Sequence, residues 1–581
     1  MKTSRRPLYI LGFVGLLGVV AVIVVSIPRG SREGVFVVLF ERDTVMVEQY
    51  RWRARTLDVE SINHPGLLQS SMYGTFGSQS EMQKLNLRVH RLGAPDALPD
   101  LATAKLTLRN DTVTTELQTT DGSWAVRNIA TRPDMVPYLD LSLTLLEEAI
   151  KRSRFLTTST PTLLWFAVPS APRSIAHIVF KHDSVIFEAG QTQFRLAIDS
   201  EGHVLGGSIP LHGLRIEHHF RPYAQRIAVA KPDYTAPKGA PYTAEEVEVT
   251  TKDGQKLAGT LTRPVAGPRQ VAAVVLISGG GPQDRNSSDP AVPGGYRGFF
   301  EIADTLGRRG IAVLRLDDRG TGASTGDQTS TTMADYAKDI QSAVAFLRHD
   351  PRIDSHRIAL LGHSEGGLVA SMVAVADPII RAIVLLAVPA RSGEQVMIEQ
   401  GSWLIAHDTS LKASERDSAL HAVRAEYNVD SLAGRYRRSV LEDLKVTLSK
   451  DTSLSAAALD SIVADASQRS NFATLAIPAP WLFFLRYDPV PTALKVKAPV
   501  LLLHGESDRQ VKVQHARELA SAFRRGGNLD VTVRLFKGLN HRFISDSLGD
   551  PRKYRNLPSQ HIRTDVLGAI SDWLVARLDV Q

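Results

Sequence analysis

The residue with the clearest chemistry is Ser364. It stands in Gly362-His363-Ser364-Glu365-Gly366, a G-x-S-x-G pentapeptide. The apolar run Ile358-Ala359-Leu360-Leu361 before it reads as a buried strand, and residues 367–375 read as a helix of small residues. Strand, sharp turn and helix place a serine at the apex with its hydroxyl exposed. The flanking glycines answer to crowding, because a side chain at Gly362 or Gly366 would collide with the neighbouring strand or helix. The turn predicts a strained backbone at Ser364. It also sets the serine at a helix N-terminus, where free N–H groups favour developing negative charge. The bland alternative is a plain strand-to-helix turn.

A serine hydroxyl attacks poorly at neutral pH unless a base takes its proton, and that base needs a carboxylate to fix its tautomer and stabilise its charge. Downstream the chain offers Leu501-Leu-Leu-His-Gly-Glu-Ser-Asp508 and Phe536-Lys-Gly-Leu-Asn-His541. The first reads as a buried strand running into a turn that carries Asp508. The second reads as a strand and a short loop carrying His541. Both stand at C-terminal strand ends, the sheet edge that also carries Ser364.

The elements around these segments alternate. A hairpin at 247–262 is followed by apolar strands at 272–277, 311–316, 382–387, 500–503 and 531–535, with helices at 299–308 and 333–349 and a last helix carrying Val566, Ile570, Trp573, Leu574 and Leu578 on one face. That alternation predicts an α/β domain with a doubly wound, mainly parallel sheet. It stops between 391 and 491, where helices are expected at 414–427, 439–448 and 455–467, followed by the apolar and aromatic stretch 472–487. Sheet strands resume at Val500, so this stretch is read as an inserted helical cap.

The segment from about Glu245 to Gln581 resembles the α/β-hydrolase superfamily. It is most similar to bacterial serine carboxylesterases related to dienelactone hydrolases and the catalytic domains of prolyl oligopeptidases. The motifs that carry the resemblance, in the family's order, are Ser278-Gly-Gly-Gly-Pro-Gln-Asp-Arg285, Asp317-Asp-Arg-Gly-Thr-Gly-Ala-Ser324, Gly362-His-Ser-Glu-Gly366, His504-Gly-Glu-Ser-Asp508 and Gly538-Leu-Asn-His541. The resemblance implies Ser364 as nucleophile, Asp508 as acid and His541 as base. One oxyanion donor is then expected at the backbone N–H of Glu365 and the other in the Gly279-Gly280-Gly281 loop, at Gly280 or Gly281; Pro282 has no N–H to give. Glu506 is a weaker rival to Asp508, and Asp488 a weaker one still. His363 is expected to pack beside the site and His504 to be structural. Asp317 and Asp318 are expected to fasten their loop. No metal and no organic cofactor are called for.

Composition narrows the rest. The chain has 581 residues, enough for two or three domains. It has no cysteine, which excludes disulfides, thiolate catalysis and Cys-ligated metals. The net charge of +7 comes from scattered arginines without interleaved aromatics, so nucleic acid is not an expected partner. Lys2, Arg5 and Arg6 precede an uncharged run at 8–27 that is long enough, at about 30 Å of helix, to cross a bilayer. This predicts an uncleaved signal anchor over 1–30 and an exported catalytic domain on the periplasmic or extracellular side. A cleaved signal peptide is the alternative. From 34 to 230 the pattern has mostly period two, with hairpins at 105–117 and 175–187, one helix at 139–152 and no propeller repeat. It reads as an antiparallel β-rich domain of sandwich or clam type. His218-His219 invites a metal reading, but adjacent strand residues point to opposite faces. Residues 231–243, with three prolines, read as a linker to a catalytic domain at 244–581.

The expected protein is thus a membrane-anchored serine hydrolase of small carboxylic esters. A peptidase or amidase is the alternative within the class, and a non-catalytic binding module on a hydrolase fold the alternative outside it.

Overall fold

The computed structural model describes residues 31–580 apart from short internal stretches, the longest being 92–99, 154–161, 167–173, 225–232, 289–294, 435–440, 442–454 and 465–478. Residues 1–30, nearly all of the expected helix at 439–448, Pro282 and Phe472 lie outside the described residues, whereas the described part of the expected helix at 455–467 is helical at 457–458, 460–462 and 464.

The expectation of a transmembrane helix is corrected. Among the described residues no helix is long and apolar enough to cross a membrane. The longest, Met333–His349, would span about 25 Å, short of the roughly 30 Å of a bilayer core, and it carries Asp335, Lys338, Asp339 and Arg348. The first described element, Ser31–Phe40, is instead a strand paired on both sides within a sheet. The membrane partner and the membrane-anchored, exported location rested on the charges and hydropathy of 1–30, which lie outside the described residues, and no described helix supports them.

The N-terminal unit is one sheet of fifteen strands, not a sandwich of two. Ser31–Phe40 lies in its middle. Seven further strands step outward from it, each antiparallel to the last, to Trp124–Ala130 at one edge. The chain then crosses to Met135–Leu139 at the other edge and steps back inward to Leu214–His219, which pairs with the first strand. One pair is parallel, Met135–Leu139 with Thr162–Phe166, because the helix Leu143–Ser153 crosses between them. That helix starts four residues later than the sequence pattern predicts, since 139 still belongs to the strand. Its Leu143, Leu145, Leu146, Ala149 and Ile150 share one core with both arms of the sheet. The sheet therefore closes on a buried helix, the clam rather than the sandwich. His218 and His219 part as alternation requires. His218 bonds Tyr50 Oη and the Val204 carbonyl, while His219 pairs with Glu217.

The C-terminal sheet has eight strands, named here β1 (Tyr242–Thr250), β2 (Lys256–Pro264), β3 (Val271–Ile277), β4 (Ala312–Leu316), β5 (Ile353–His363), β6 (Ala382–Leu386), β7 (Val500–Gly505) and β8 (Val531–Phe536). Their order is 1-2-4-3-5-6-7-8. Contacts of β2 are antiparallel and all pairs from β4 to β8 are parallel. Along β3, Ala273, Val275 and Ile277 enter one core and Ala272, Val274 and Leu276 the other. Both faces are covered, which is why such strands read as unbroken apolar runs. Helices Met333–His349, Glu365–Ala376 and Gln514–Arg525 pack on the first face, and Gly298–Arg308 and Thr564–Arg577 on the second. Between β6 and β7 the helices Gly393–Ala406, Ala413–Tyr427 and Ala479–Arg486 replace the alternation.

The two units touch through Arg91, which is buried. It donates to the carbonyls of Gly320 at 3.0 Å and Gly326 at 2.8 Å.

Glu48 makes the N-terminal core sensitive to pH. It is fully buried, its Oε1 accepts from Thr144 N at 2.7 Å and from Thr144 Oγ1, and its Oε2 has no hydrogen-bond partner among the described residues. Burial pushes its carboxyl up to about 7 despite the Thr144 hydrogen bonds. A raised native value contributes stability that is complete below the unfolded value and lost as pH rises through about 7. The midpoint of thermal unfolding should therefore fall between pH 5 and pH 8, with about 3 kcal/mol attributable to this group. Glu48→Gln keeps the acceptor and cannot ionise, so its midpoint should fall less and exceed that of the wild type at pH 8. Parallel curves for the two proteins would remove Glu48 as the cause.

Candidate active site

Ser364 follows β5 and heads the helix Glu365–Ala376, at φ 53° and ψ −123°. A non-glycine residue in this region is strained and persists only where its surroundings hold it. They do so by close packing. A methyl group on Gly362 would lie 2.2 Å from the Gly366 carbonyl oxygen, and one on Gly366 would lie 2.2 Å from the carbonyl oxygens of Ile277 and Ser278. Gly367 is as tight, 2.0 Å from a Val388 methyl. The Ser364 N–H donates to Leu386 O at 2.8 Å, which ties the turn to β6. Ser364 Oγ enters no hydrogen bond among the described residues; such bonds are often long until substrate binds.

The strand order puts β3 beside β5, with Ile277 opposite Gly362. The glycine loop after β3 therefore passes the serine, and a methyl on Gly279 would stand 3.3 Å from Ser364 Cβ. Gly280 is held against Glu365, whose Oε2 lies 2.6 Å from where a Gly280 Cβ would be, whereas the space at Gly281, at φ +84°, is open. Burial pushes the Glu365 carboxyl up to about 7. The loop is braced from below. Asp318 accepts from Ser278 Oγ at 2.5 Å and Gln283 N at 2.9 Å. Burial pushes Asp318 well above the usual carboxylate range, against the pull of those two bonds. Asp317 accepts from Arg285 through its backbone N–H at 2.9 Å and its guanidinium at 2.9 and 3.1 Å, both side chains being buried. The two aspartates thus fasten the glycine loop as well as their own.

Asp508 and His541 come together. Asp508 Oδ2 lies 2.7 Å from His541 Nδ1, and both residues are buried. Asp508 Oδ1 accepts from the N–H groups of Gln510 and Val511, each at 2.9 Å. Burial opposes its charge, but His541 and His504 outweigh this and hold Asp508 well below the usual carboxylate range. An ionised acceptor fixes the His541 tautomer with the proton on Nδ1, leaving the lone pair on Nε2. The two loops are stitched by Glu506 N to Phe536 O and Ser507 N to Leu539 O, each 2.9 Å. Gly505 permits this approach, since a methyl there would be 2.3 Å from Leu539 O.

The other carboxylates lie elsewhere. The Glu506 side chain is exposed, and Asp488 caps the short turn at Val490 N, 3.0 Å away. His504 Nε2 donates to Val511 O at 2.8 Å and stands 3.3 Å from Asp508. His363 does more than pack. Its Nε2–H donates to the His541 carbonyl at 2.9 Å, and the two rings are 4.7 Å apart. Burial, then the neighbouring His541, push it down to about 3, so it stays neutral. This bond joins the serine turn to the histidine loop. Only its position next to Ser364 hinted at it in the sequence. Tyr554, whose hydroxyl accepts from the His541 N–H at 3.3 Å, had no signal at all.

In the cap, Phe484 packs on Gly393, Trp481 stacks on Phe484 at 5.3 Å, and Phe483 stacks on Tyr487 at 5.8 Å. Phe483 and Phe484 lean on the sheet's core. The cap's base is pinned by Glu399, which meets Arg391, Lys512 and His515.

Among known proteins, residues 274–554 match the model of the alpha/beta hydrolase family. The uncharacterized protein YfhR of Escherichia coli (strain K12) is 31% identical over 127 residues, 22% of this chain and 40% of that protein. The uncharacterized peptidase YuxL of Bacillus subtilis (strain 168) is 22% identical over 336 residues, 57% of this chain and 38% of that protein. The chain thus spans less than half the length of these curated relatives. The Pyrococcus furiosus esterase Pf2001 aligns with 60% of this chain and 96% of its own at 18% identity and a TM-score of 0.36. On the strand order of its sheet and the family match across 274–554, the C-terminal domain of this chain is an alpha/beta hydrolase.

Proposed function

We propose that the chain is a serine hydrolase of carboxylic esters that works through an acyl-enzyme. In this reading the chain divides into a β-rich unit at 34–230, a linker at 231–243 and a catalytic domain at 244–581 with a cap at 391–491. Ser364 Oγ attacks the ester carbonyl while His541 Nε2 takes its proton. The oxyanion receives the N–H of Glu365 and that of Gly280 or Gly281. His541 then protonates the leaving alcohol, and a water deprotonated by the same nitrogen releases the acid and frees Ser364. Asp508 orients the ring and stabilises the imidazolium. The observation that carries this reading is the 2.7 Å bond between Asp508 and His541, formed at the sheet edge that also bears the strained Ser364. The bond from His363 to the His541 carbonyl supports it by coupling the two loops. A peptidase or amidase is the second reading, and the similarity to a protein named as a peptidase favours it.

Three outcomes follow. Ser364→Ala should lower ester hydrolysis by several orders of magnitude without changing the circular dichroism spectrum, and a fluorophosphonate should label the wild type at Ser364 only. Activity near normal in the alanine variant, or labelling elsewhere, removes Ser364 from the mechanism. Asp508→Asn should leave His541 in the wrong tautomer and cost up to about 10⁴ in kcat. Glu506→Gln should be mild, and the reverse ranking would transfer the role to Glu506. Purified protein should hydrolyse short or medium p-nitrophenyl esters with a higher kcat/KM than aminoacyl or prolyl anilides, and an inverted order would replace the esterase reading with the peptidase one.

A further inference from the structure

The carboxyl of Glu365 is unlike the others around the serine. Asp317, Asp318 and Asp508 each accept two or more hydrogen bonds. The Glu365 side chain makes no hydrogen bond and no ion pair among the described residues. Its place is fixed all the same. Glu365 opens the helix that follows Ser364, and its Oε2 stands against Gly280, an exposed residue of the glycine loop. Gly279 meets Ser364 in the same way, so the carboxyl lies one residue along that loop from the serine. Ser364 and Glu365 are both partly exposed, and neither Glu365 oxygen is among the fully buried atoms that lack a partner. A molecule bound at Ser364 can therefore reach them. A carboxyl that served only to open a helix would face water or a cation. This one is largely withdrawn from water, and burial alone, with no lysine, arginine or histidine to offset it, pushes it up to about 7. The titratable groups nearest to it are Asp318, below the loop, and Tyr336, from the helix Met333–His349. Burial pushes both up, and the Glu365 charge adds to the push.

We propose that Glu365 selects the acyl group by charge: its carboxylate favours an acyl chain that carries an ammonium group and rejects one that carries an anion. This rests on the reading of Ser364 as the nucleophile of an ester hydrolase. In that reading the leaving alcohol faces His541, which protonates it, so the group beside the glycine loop is the acyl chain. A substrate ammonium supplies the partner that the protein does not. A substrate anion brings a second negative charge into a place poorly reached by water, where charges act on each other more strongly than in bulk solvent. The substrate class is then esters of amino or trialkylammonium acids, not half-esters of dicarboxylic acids.

Three p-nitrophenyl esters of one acyl length test this on the full chain, their acyl ends being tert-butyl, trimethylammonium and sulfonate. Neither charged end titrates near neutral pH or attacks its own ester. At pH 8 the kcat/KM of the ammonium ester should exceed that of the tert-butyl ester by about tenfold, and that of the sulfonate ester should fall about tenfold below it. Both ratios should shrink toward one at pH 6, where the Glu365 carboxyl takes up its proton. The titration of His541 is common to the three esters and cancels. Glu365→Gln keeps the side-chain length and the backbone N–H, and it should bring both ratios to within about twofold of one at either pH. Each ratio is taken on a single protein, so a change in overall rate does not enter it. Equal kcat/KM for the three esters in the wild type at pH 8, ratios that do not change between pH 6 and pH 8, or ratios that survive Glu365→Gln, overturn the proposal alone. No hydrolysis of any of the three, with Ser364 unlabelled by a fluorophosphonate, overturns the ester-hydrolase reading itself and the proposal with it.

Discussion

The fold of the C-terminal domain depends on backbone meeting backbone without side chains between. At Gly362, Gly366 and Gly505 a single methyl group would overlap a carbonyl oxygen by more than 1 Å relative to ordinary contact. None of the three needs glycine for its φ, because none is in the left-handed region. They are glycine because of space. That closeness lets β5 turn into its helix within one residue, and it leaves Ser364 as the residue that takes the unfavourable backbone angles.

A second constraint is that the reactive groups come from three chain segments that must keep one spacing. Each is fastened to its neighbour by short polar contacts rather than by apolar packing. Asp318 ties the glycine loop after β3 to the loop after β4. His363 ties the serine turn to the histidine loop. Backbone bonds tie the histidine loop to the acid loop. Directional bonds position loops more narrowly than dispersion contacts, and in a buried setting a broken one leaves an unsatisfied group. One of these braces, His363, is pushed down to about 3 by burial, so it adds no charge beside the serine near neutral pH.

The N-terminal unit is joined to this frame through the same loops. Arg91 closes on the carbonyls of Gly320 and Gly326, in the loop that begins with the bracing aspartates. From the linker, Tyr234 bonds Asp284 at 3.2 Å and lies under the Arg285 guanidinium. The β-rich unit therefore contacts the part of the C-terminal domain that supports the glycine loop. Its own interior is unusually polar for a β-sheet core, with Glu48, Glu147 and Glu148 buried around one helix.

How much was legible in the sequence differs by region. The strands of the C-terminal sheet were readable because a sheet buried on both faces needs unbroken apolar runs, and the G-x-S-x-G turn because crowding admits only glycine at its flanks. The candidate residues Ser364, Asp508 and His541 were readable as types at strand ends. Their meeting was not, since a distance between residues 33 positions apart depends on how β7 and β8 pair. In the N-terminal unit, period two marked strands correctly, but it could not tell one continuous sheet from two stacked ones, because both bury alternate residues. Contacts such as Arg91 with Gly320, or Tyr554 with the His541 N–H, follow no local pattern. They exist only once distant segments have been brought side by side, and so tertiary structure alone decided them.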